Sequence, residues 1–249
     1  MRRIVIPLPA SDFDPTEAGV TWKMLHQNGV DVVFATPNAK AAAGDHRMLT
    51  GAGLGPWSCF LKANRNGLLA YDEMIASQAF QNPLHWHDIK SNDFDGIALA
   101  GGHAPGMRPY LESNTLQRIV AEFCTASRLV GAICHGVVLA ARSTDASGRS
   151  VLAGRKVTAL LRSQEMMAWA FTCLWLKNYY RTYPETVQAE VIRHLGHSKH
   201  FIAGPMPLRR DSLDDMGAGF IVEDENIITA RWPGDAHVFG LRMAERLAR

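Results

Sequence analysis

The sequence predicts an α/β protein whose mostly parallel, doubly wound sheet carries helices on both faces as a three-layer sandwich. Three observations carry that expectation. Short β-branched and apolar runs alternate with helical patterns along most of the chain. Two of the helical patterns open on clear capping residues, and two tight glycine-containing turns directly follow strand-like runs. Right-handed crossovers between parallel strands then make a doubly wound arrangement the economical one.

Arg3 to Leu8 reads as a buried strand. Asp14-Pro15-Thr16-Glu17 supplies an N-cap, a proline at the first helical position and an acidic first turn, so a helix should run to about Gly29 as its C-cap. Asp31 to Thr36 is a second strand. From about 37 to 92 the alternation breaks. Gly51, Gly53, Gly55 and Pro56 mark a loop, and only Leu68 to Phe80 keeps a helical period. This stretch is expected as an excursion from the sheet that can cap a pocket, inserted into one domain spanning residues 1–249.

Phe94 to Ala100 returns to a strand, Gly101 to Gly106 turns tightly, and Ser113 caps a helix reaching about Ala126. Leu129 to Ile133 is a fourth strand and Gly136 to Arg142 its helix, with Cys134 and His135 between them. Arg155 to Leu160 is expected as a further strand, and about Gln164 to Leu176 and Glu185 to Leu195 as helices. Residues 219–222 and 227–230 read as a hairpin, and Gly234 to Arg249 as the closing helix.

Composition narrows the function. With 47% apolar residues the chain can bury a sizeable core, and a net charge of +2 without long runs of one sign excludes the footprint of a nucleic-acid or anionic-membrane binder. No apolar run is long enough to span a bilayer, and the N-terminal stretch, broken by Pro7 and Pro9, does not read as a signal peptide. Cys59, Cys124, Cys134 and Cys173 show neither CxxC spacing nor the density of a disulfide framework. The expectation is a cytoplasmic protein with a small-molecule partner.

In an open α/β sheet, sites form beyond the carboxyl ends of the strands, where Cys134, the Gly101-Gly102-His103 loop and Glu17 all fall. Gly131 and Gly136 flank Cys134 as a strained nucleophile turn requires, and a following helix N-terminus biases a thiol towards thiolate. The competing reading is a small buried cysteine. His135 is either an acid/base neighbour or a histidine satisfied by a carbonyl. Glu17 is either a capping-box residue or, facing Cys134, a buried carboxyl with a raised pKa. The Gly101-Gly102-His103 amides suit an oxyanion hole or ordinary turn chemistry.

Together, Ala132-Ile133-Cys134-His135-Gly136, Gly101-Gly102-His103 and Asp14-Pro15-Thr16-Glu17 resemble the ThiJ/PfpI superfamily, whose fold is a flavodoxin-like, glutamine-amidotransferase-like sandwich. The segment Ile228 to Ala236 is similar as well, so the resemblance spans most of the chain. It implies Cys134 as the nucleophile, Glu17 as its carboxylic partner and His135 as an acid/base group. Backbone amides at Gly102, His103 and His135 would face developing negative charge. Cysteine followed by histidine resembles the glyoxalase III and heat-shock chaperone branch, in which the thiol adds to a 2-oxoaldehyde and proton transfer yields a 2-hydroxy acid without a cofactor. A third acidic group, where the family has one, lies after the next strand, which points to Glu165.

The resemblance leaves two other activities open: a redox-sensing or chaperone role for Cys134, and an amidase or peptidase. Asp235-Ala236-His237 does not reproduce the His-x-Glu of glutaminase subunits, which argues against glutamine hydrolysis. Glu17 and His135 likewise depart from the aspartate and threonine of isocyanide hydratases.

His85-Trp86-His87-Asp88 has metal-ligand chemistry, but a solvated loop is the preferred reading and no metal is expected. The aromatic segment from Trp169 to Tyr183 suits the core or a homodimer face, with pocket lining second. Arg108, Arg209, Arg210 and Arg231 are four candidates to meet a substrate carboxylate, and the sequence does not choose among them.

Overall fold

The computed structural model describes residues 2–249. Its first half runs β1 (Arg3–Pro7), α1 (Pro15–Gln27), β2 (Asp31–Thr36), α2 (Arg65–Ala76), β3 (Leu84–His85) and β4 (Gly96–Leu99). Then come α3 (Asn114–Thr125), β5 (Leu129–Ile133), α4 (Gly136–Arg142), α5 (Arg162–Leu176) and α6 (Val187–Leu195). The hairpin β6 (Ile221–Asp224) and β7 (Ile227–Ala230) precedes α7 (Ala236–Ala248).

Among the described residues, seven strands form the main sheet in the order β3-β2-β1-β4-β5-β7-β6. Every neighbouring pair is parallel except the β6–β7 hairpin. The central strands β4, β5 and β7 are buried throughout, as continuous apolar runs covered on both faces must be. The chain leaves β1 towards β2 and then crosses to β4 on the other side of β1, so a crevice opens at this switch point.

On one face α1 packs against α2 and α7, and on the other α4 packs against α3 and α6. Close approach on the first face depends on glycine: a Cβ at Gly19 would lie 2.7 Å from the Tyr71 nitrogen, and one at Gly240 would lie 2.8 Å from Met24 Cβ. This is the doubly wound, flavodoxin-like sandwich expected of the sequence.

Two elements differ from expectation. Residues 155–160 do not form a strand of the sheet; Val157 makes only an isolated parallel bridge with Phe201. The place beside β5 is taken by β7, and Thr158 N–H instead donates to Thr229 Oγ1 at 2.9 Å. The stretch 37–92 is also less of an excursion than expected, because Leu84 pairs with Ala35 and brings β3 onto the sheet edge. Within it, Ser77 ends α2 and caps the next turn, accepting from Phe80 N–H at 3.2 Å. No helix among the described residues is long and apolar enough to cross a membrane.

Arg231 and Asp235 join the end of β7 to the start of α7, and both side chains are fully buried. The pairing is bidentate, with Nε to Oδ2 at 2.9 Å and Nη2 to Oδ1 at 3.0 Å, and Asp235 also accepts from Phe220 N–H. Removing one partner strands a buried charge. Arg231→Met is therefore expected to lower the unfolding free energy by about 3–5 kcal/mol in urea denaturation. Arg231→Met combined with Asp235→Leu should recover much of that loss. A single variant within about 1 kcal/mol of wild type would show that the pair is not a clamp.

Candidate active site

Cys134 leaves β5 with φ of 56°, a left-handed conformation that costs a non-glycine residue on the order of 1–3 kcal/mol. The surroundings hold it there. Its N–H donates to Ala230 O on β7 at 3.1 Å, and its carbonyl accepts from Val137 N–H at 3.3 Å in the first turn of α4. Gly136 allows the turn, since a Cβ there would lie 2.2 Å from Leu99 O. The elbow thus presents Cys134 at the carboxyl end of the sheet, as the sequence reading required.

Glu17 does not close a capping box. Asp14 caps α1 alone, accepting from Thr16 and Glu17 N–H at 2.9 and 3.0 Å. The Asp14 N–H that Glu17 would bind in a capping box donates to Gly101 O at 2.8 Å, while Gly101 N–H donates to Glu17 Oε2 at 2.7 Å. A Cβ at Gly101 would lie 2.7 Å from Glu17 Oε2, 2.7 Å from the His135 nitrogen and 2.9 Å from Cys134 Cβ. Glu17, Cys134 and the start of α4 therefore crowd around one glycine. Glu17 Oε1 is buried without a partner in hydrogen-bonding geometry, beside the thiol.

His135 also meets the thiol, with Nδ1 3.5 Å from Cys134 Sγ, and its Nε2 lies 3.1 Å from Thr182 Oγ1. The hydroxyl proton of Thr182 is already committed to His103 O at 2.7 Å. Thr182 must then accept from His135 Nε2–H, which leaves the Nδ1 lone pair facing the sulfur. Burial, with help from His103 and Arg142, pushes His135 down to about 3, so the ring is a neutral base. Thr182, which orients it, carried no sequence signal because it lies 47 residues downstream in an aromatic stretch.

Burial also governs the acids. Desolvation and the neighbouring Asp14 carboxyl raise Glu17 well above its usual range, and Asp14 itself is pushed up to about 6 by burial. Cys134, 5% exposed, is raised by desolvation and then by the Glu17 and Asp14 charges. Burial thus acts in the opposite direction to the lowering expected of a helix N-terminus. A thiol so placed also departs from the accessible, low-pKa thiol that redox sensing needs.

Cys134 opens into a cavity of about 460 Å³ lined by Asp14, Glu17, Gly102, His103, Gln164, Glu165, Tyr180 and Arg210 on its polar side and mostly by apolar side chains elsewhere. Met48, Trp57, Phe60 and Leu61 from the 37–92 stretch form one wall. Gly102, with φ of 148°, and His103 line the same cavity as Cys134, whereas Gly101 N–H is already taken by Glu17. His103 stacks on Tyr180 at 4.2 Å between ring centroids and is held neutral, pushed down to about 3 by burial.

Glu165 lines the same cavity but is not brought to His135. Its carboxylate lies 3.2 Å from Arg181 Nε and accepts from Val187 N–H at 2.9 Å, and burial pushes it up to about 7. His85 and His87 stack at 4.9 Å, yet no group of three or more metal-ligating side chains gathers among the described residues.

Known proteins share this fold and part of this sequence. A family model described as ThiJ/PfpI family-like matches residues 8–205. An uncharacterized protein of Schizosaccharomyces pombe is 24% identical over 149 residues, 57% of this chain and 54% of that one. A second protein of that yeast, named Probable glutathione-independent glyoxalase, is 28% identical over 82 residues, 33% of this chain and 36% of its own. The chain thus spans about half the length of the first relative and about a third of the second. The crystal structure of glyoxalase III from Candida albicans superposes with a TM-score of 0.69 at 18% identity, covering 99% of this chain and 96% of that one.

The raised carboxyl of Glu17 gives a pH signature with a definite sign. Above its usual value of 4.5 the unfolded chain releases this proton while the folded protein keeps it. Stability from the neutral carboxyl is therefore full below that pH and falls as pH rises, by up to about 1.4 kcal/mol per unit, until the folded-state pKa is reached. Glu17→Gln lacks the effect. The unfolding free energy of wild type minus that of Glu17→Gln should decline between about pH 4.5 and 7 in chemical denaturation. A flat difference would mean that Glu17 is ionised.

Proposed function

The chain belongs to the ThiJ/PfpI-like family, and from that premise we propose a cofactor-independent cysteine enzyme that acts on a carbonyl compound. The reaction that fits is that of a glutathione-independent glyoxalase, turning a 2-oxoaldehyde into a 2-hydroxy acid. The observation that carries this reading is the flanking of one thiol by two different proton carriers, the Glu17 carboxyl on one side and His135 Nδ1 on the other. The names of two similar proteins, the yeast glyoxalase and the Candida glyoxalase III, agree with it.

The roles follow from the protonation states. Cys134 Sγ attacks the aldehyde carbon, His135 Nδ1 takes the thiol proton, and the protonated Glu17 gives its proton to the former carbonyl oxygen. A carbon–sulfur bond has formed and the carbonyl π bond has broken. Glu17, now a carboxylate beside the hemithioacetal, removes the proton on that carbon while the protonated His135 gives its proton to the adjacent carbonyl oxygen, leaving an enediol and a neutral His135. The Glu17 carboxyl then delivers its proton to the adjacent carbon and takes up the proton of the first hydroxyl. The product of this transfer is a 2-hydroxy thioester. Water then cleaves the thioester with His135 as base, releasing the acid and restoring the thiol. No external oxidant is needed, because one carbon is oxidised as its neighbour is reduced. Backbone amides beside Gly102 and His135 suit the oxyanion stages.

The cavity favours this reading over the amidase or peptidase alternative, because its volume suits one small molecule better than an extended chain.

Methylglyoxal and phenylglyoxal supplied without glutathione should both disappear with matching formation of 2-hydroxy acid. Cys134→Ser is expected to lower kcat/KM by at least about a thousandfold, and Glu17→Gln by about a hundredfold or more. Thr182→Val should cost about tenfold, by freeing His135 to take the wrong tautomer. Absence of turnover by wild type, or full turnover by Cys134→Ser, would remove the proposal.

A further inference from the structure

Of the four arginines that could meet a substrate carboxylate, three are committed elsewhere. Arg231 is clamped on Asp235, Arg108 spends Nε and Nη2 on Thr182 O, and Arg209 is exposed and pairs with Asp215. Arg210 lines the Cys134 cavity. Its Nη2 donates to Lys62 O at 3.0 Å and Phe60 O at 3.3 Å, and its guanidinium lies 5.7 Å from the centre of the Trp232 ring. Nη1 is buried without a partner, and no carboxylate lies within 4 Å of it among the described residues.

Leaving a buried guanidinium donor unpaired is costly. Desolvation works against its charge, offset only in part by the more distant Asp14 and Glu17. Four more orphaned polar atoms, Glu17 Oε1, His103 Nε2, Trp232 Nε1 and Tyr180 Oη, belong to residues of the same cavity. Arg210 Nη1, Trp232 Nε1 and Tyr180 Oη are thus potential donors with no acceptor in hydrogen-bonding geometry.

The rest of the lining speaks to the remainder of the ligand. A volume of about 460 Å³ lies in the range of pockets that hold drug-sized molecules and far exceeds what a three-carbon oxoaldehyde fills. Trp57 and Phe171 stack at 4.2 Å on its wall, and Phe60, Met167 and Leu208 reach the rim more than half exposed. Apolar side chains left in water at a pocket mouth mark a surface that an apolar ligand can cover.

We propose that the natural substrate is a carbonyl compound with an apolar body and a carboxylate, and that Arg210 receives this carboxylate while Cys134 meets the carbonyl. This rests on the enzymatic reading above and adds the substrate class. Arg210 is here a specificity residue. It offers the forked donor geometry that pairs with a carboxylate, backed by an indole face.

The test is binding rather than turnover, so that it stands apart from the reaction. Calorimetric titration of the Cys134→Ala protein with phenylacetate, phenylacetamide and acetate separates charge from apolar bulk. Phenylacetate should bind at least about tenfold tighter than either of the others, a difference of about 1.4 kcal/mol. Adding Arg210→Met should bring the acid down to the affinity of the amide, whose own binding reports an intact cavity. If that variant loses the amide as well, Arg210→Gln decides, since it keeps a donor for the Phe60 and Lys62 carbonyls: loss of acid preference supports the assignment and retention overturns it. Equal binding of acid and amide with Arg210 present, acetate as tight as phenylacetate, or no binding of any of the three would each overturn it. A preserved acid preference in a protein that turns over no oxoaldehyde would instead count against the reaction and leave the ligand class standing.

Discussion

The exchange of hydrogen bonds between the start of α1 and Gly101 is the contact on which the rest of the site depends. Asp14 gives its N–H to Gly101 O, and Gly101 returns its own N–H to Glu17 Oε2. A first-turn glutamate would ordinarily bind backwards to its own helix. Here it is turned outwards, across the switch point between β1 and β4, where the Cys134 elbow reaches the same glycine from β5. Three segments far apart in sequence are thus fastened at one residue without a side chain. Any Cβ at position 101 would force apart the carboxyl, the thiol and the His135 amide together.

Fastened in this way, the site is dry, and its electrostatics follow from that. Acids are raised and histidines lowered for one reason, the cost of charge without water. Adjacent carboxyl and thiol cannot both ionise cheaply, and burial keeps a proton on each at rest. The neutral histidine supplies a base without adding charge, and a threonine is enough to orient it because no imidazolium needs stabilising in the resting state. Arg210 is the exception, a half-buried cation in the cavity whose Nη1 is buried without a partner.

Much of this was legible in the chain. Alternation of apolar runs with capped helical patterns identified the central strands, α1, α3 and α4 to within a residue or two, because local period and caps act on neighbours in sequence. The elbow was legible too, since Gly131-Ala-Ile-Cys-His-Gly136 packs its requirements into six residues. Illegibility began where an outcome depended on competition. Residues 155–160 have strand chemistry, but β7 occupies the place they would need. Leu84 and His85 have little of it, yet the free edge of β2 accepts them. Glu165, singled out as a third acid, lines the cavity with Arg181 and Val187 N–H as partners that its sequence neighbours do not indicate.

The sequence by itself determined the layered α/β fold, the strained turn at Cys134 and the presence of Glu17 and His135 near strand ends, since each follows from contacts among residues close along the chain. Tertiary structure decided the rest: that Glu17 faces the thiol rather than its own cap, that Thr182 sets the tautomer of His135, and that Arg210 alone of four arginines keeps a free donor in the cavity. The physical reason is shared by all three. A hydrogen-bonding group takes whichever partner the fold leaves within about 3 Å once water is excluded, and no local pattern records which partner that will be.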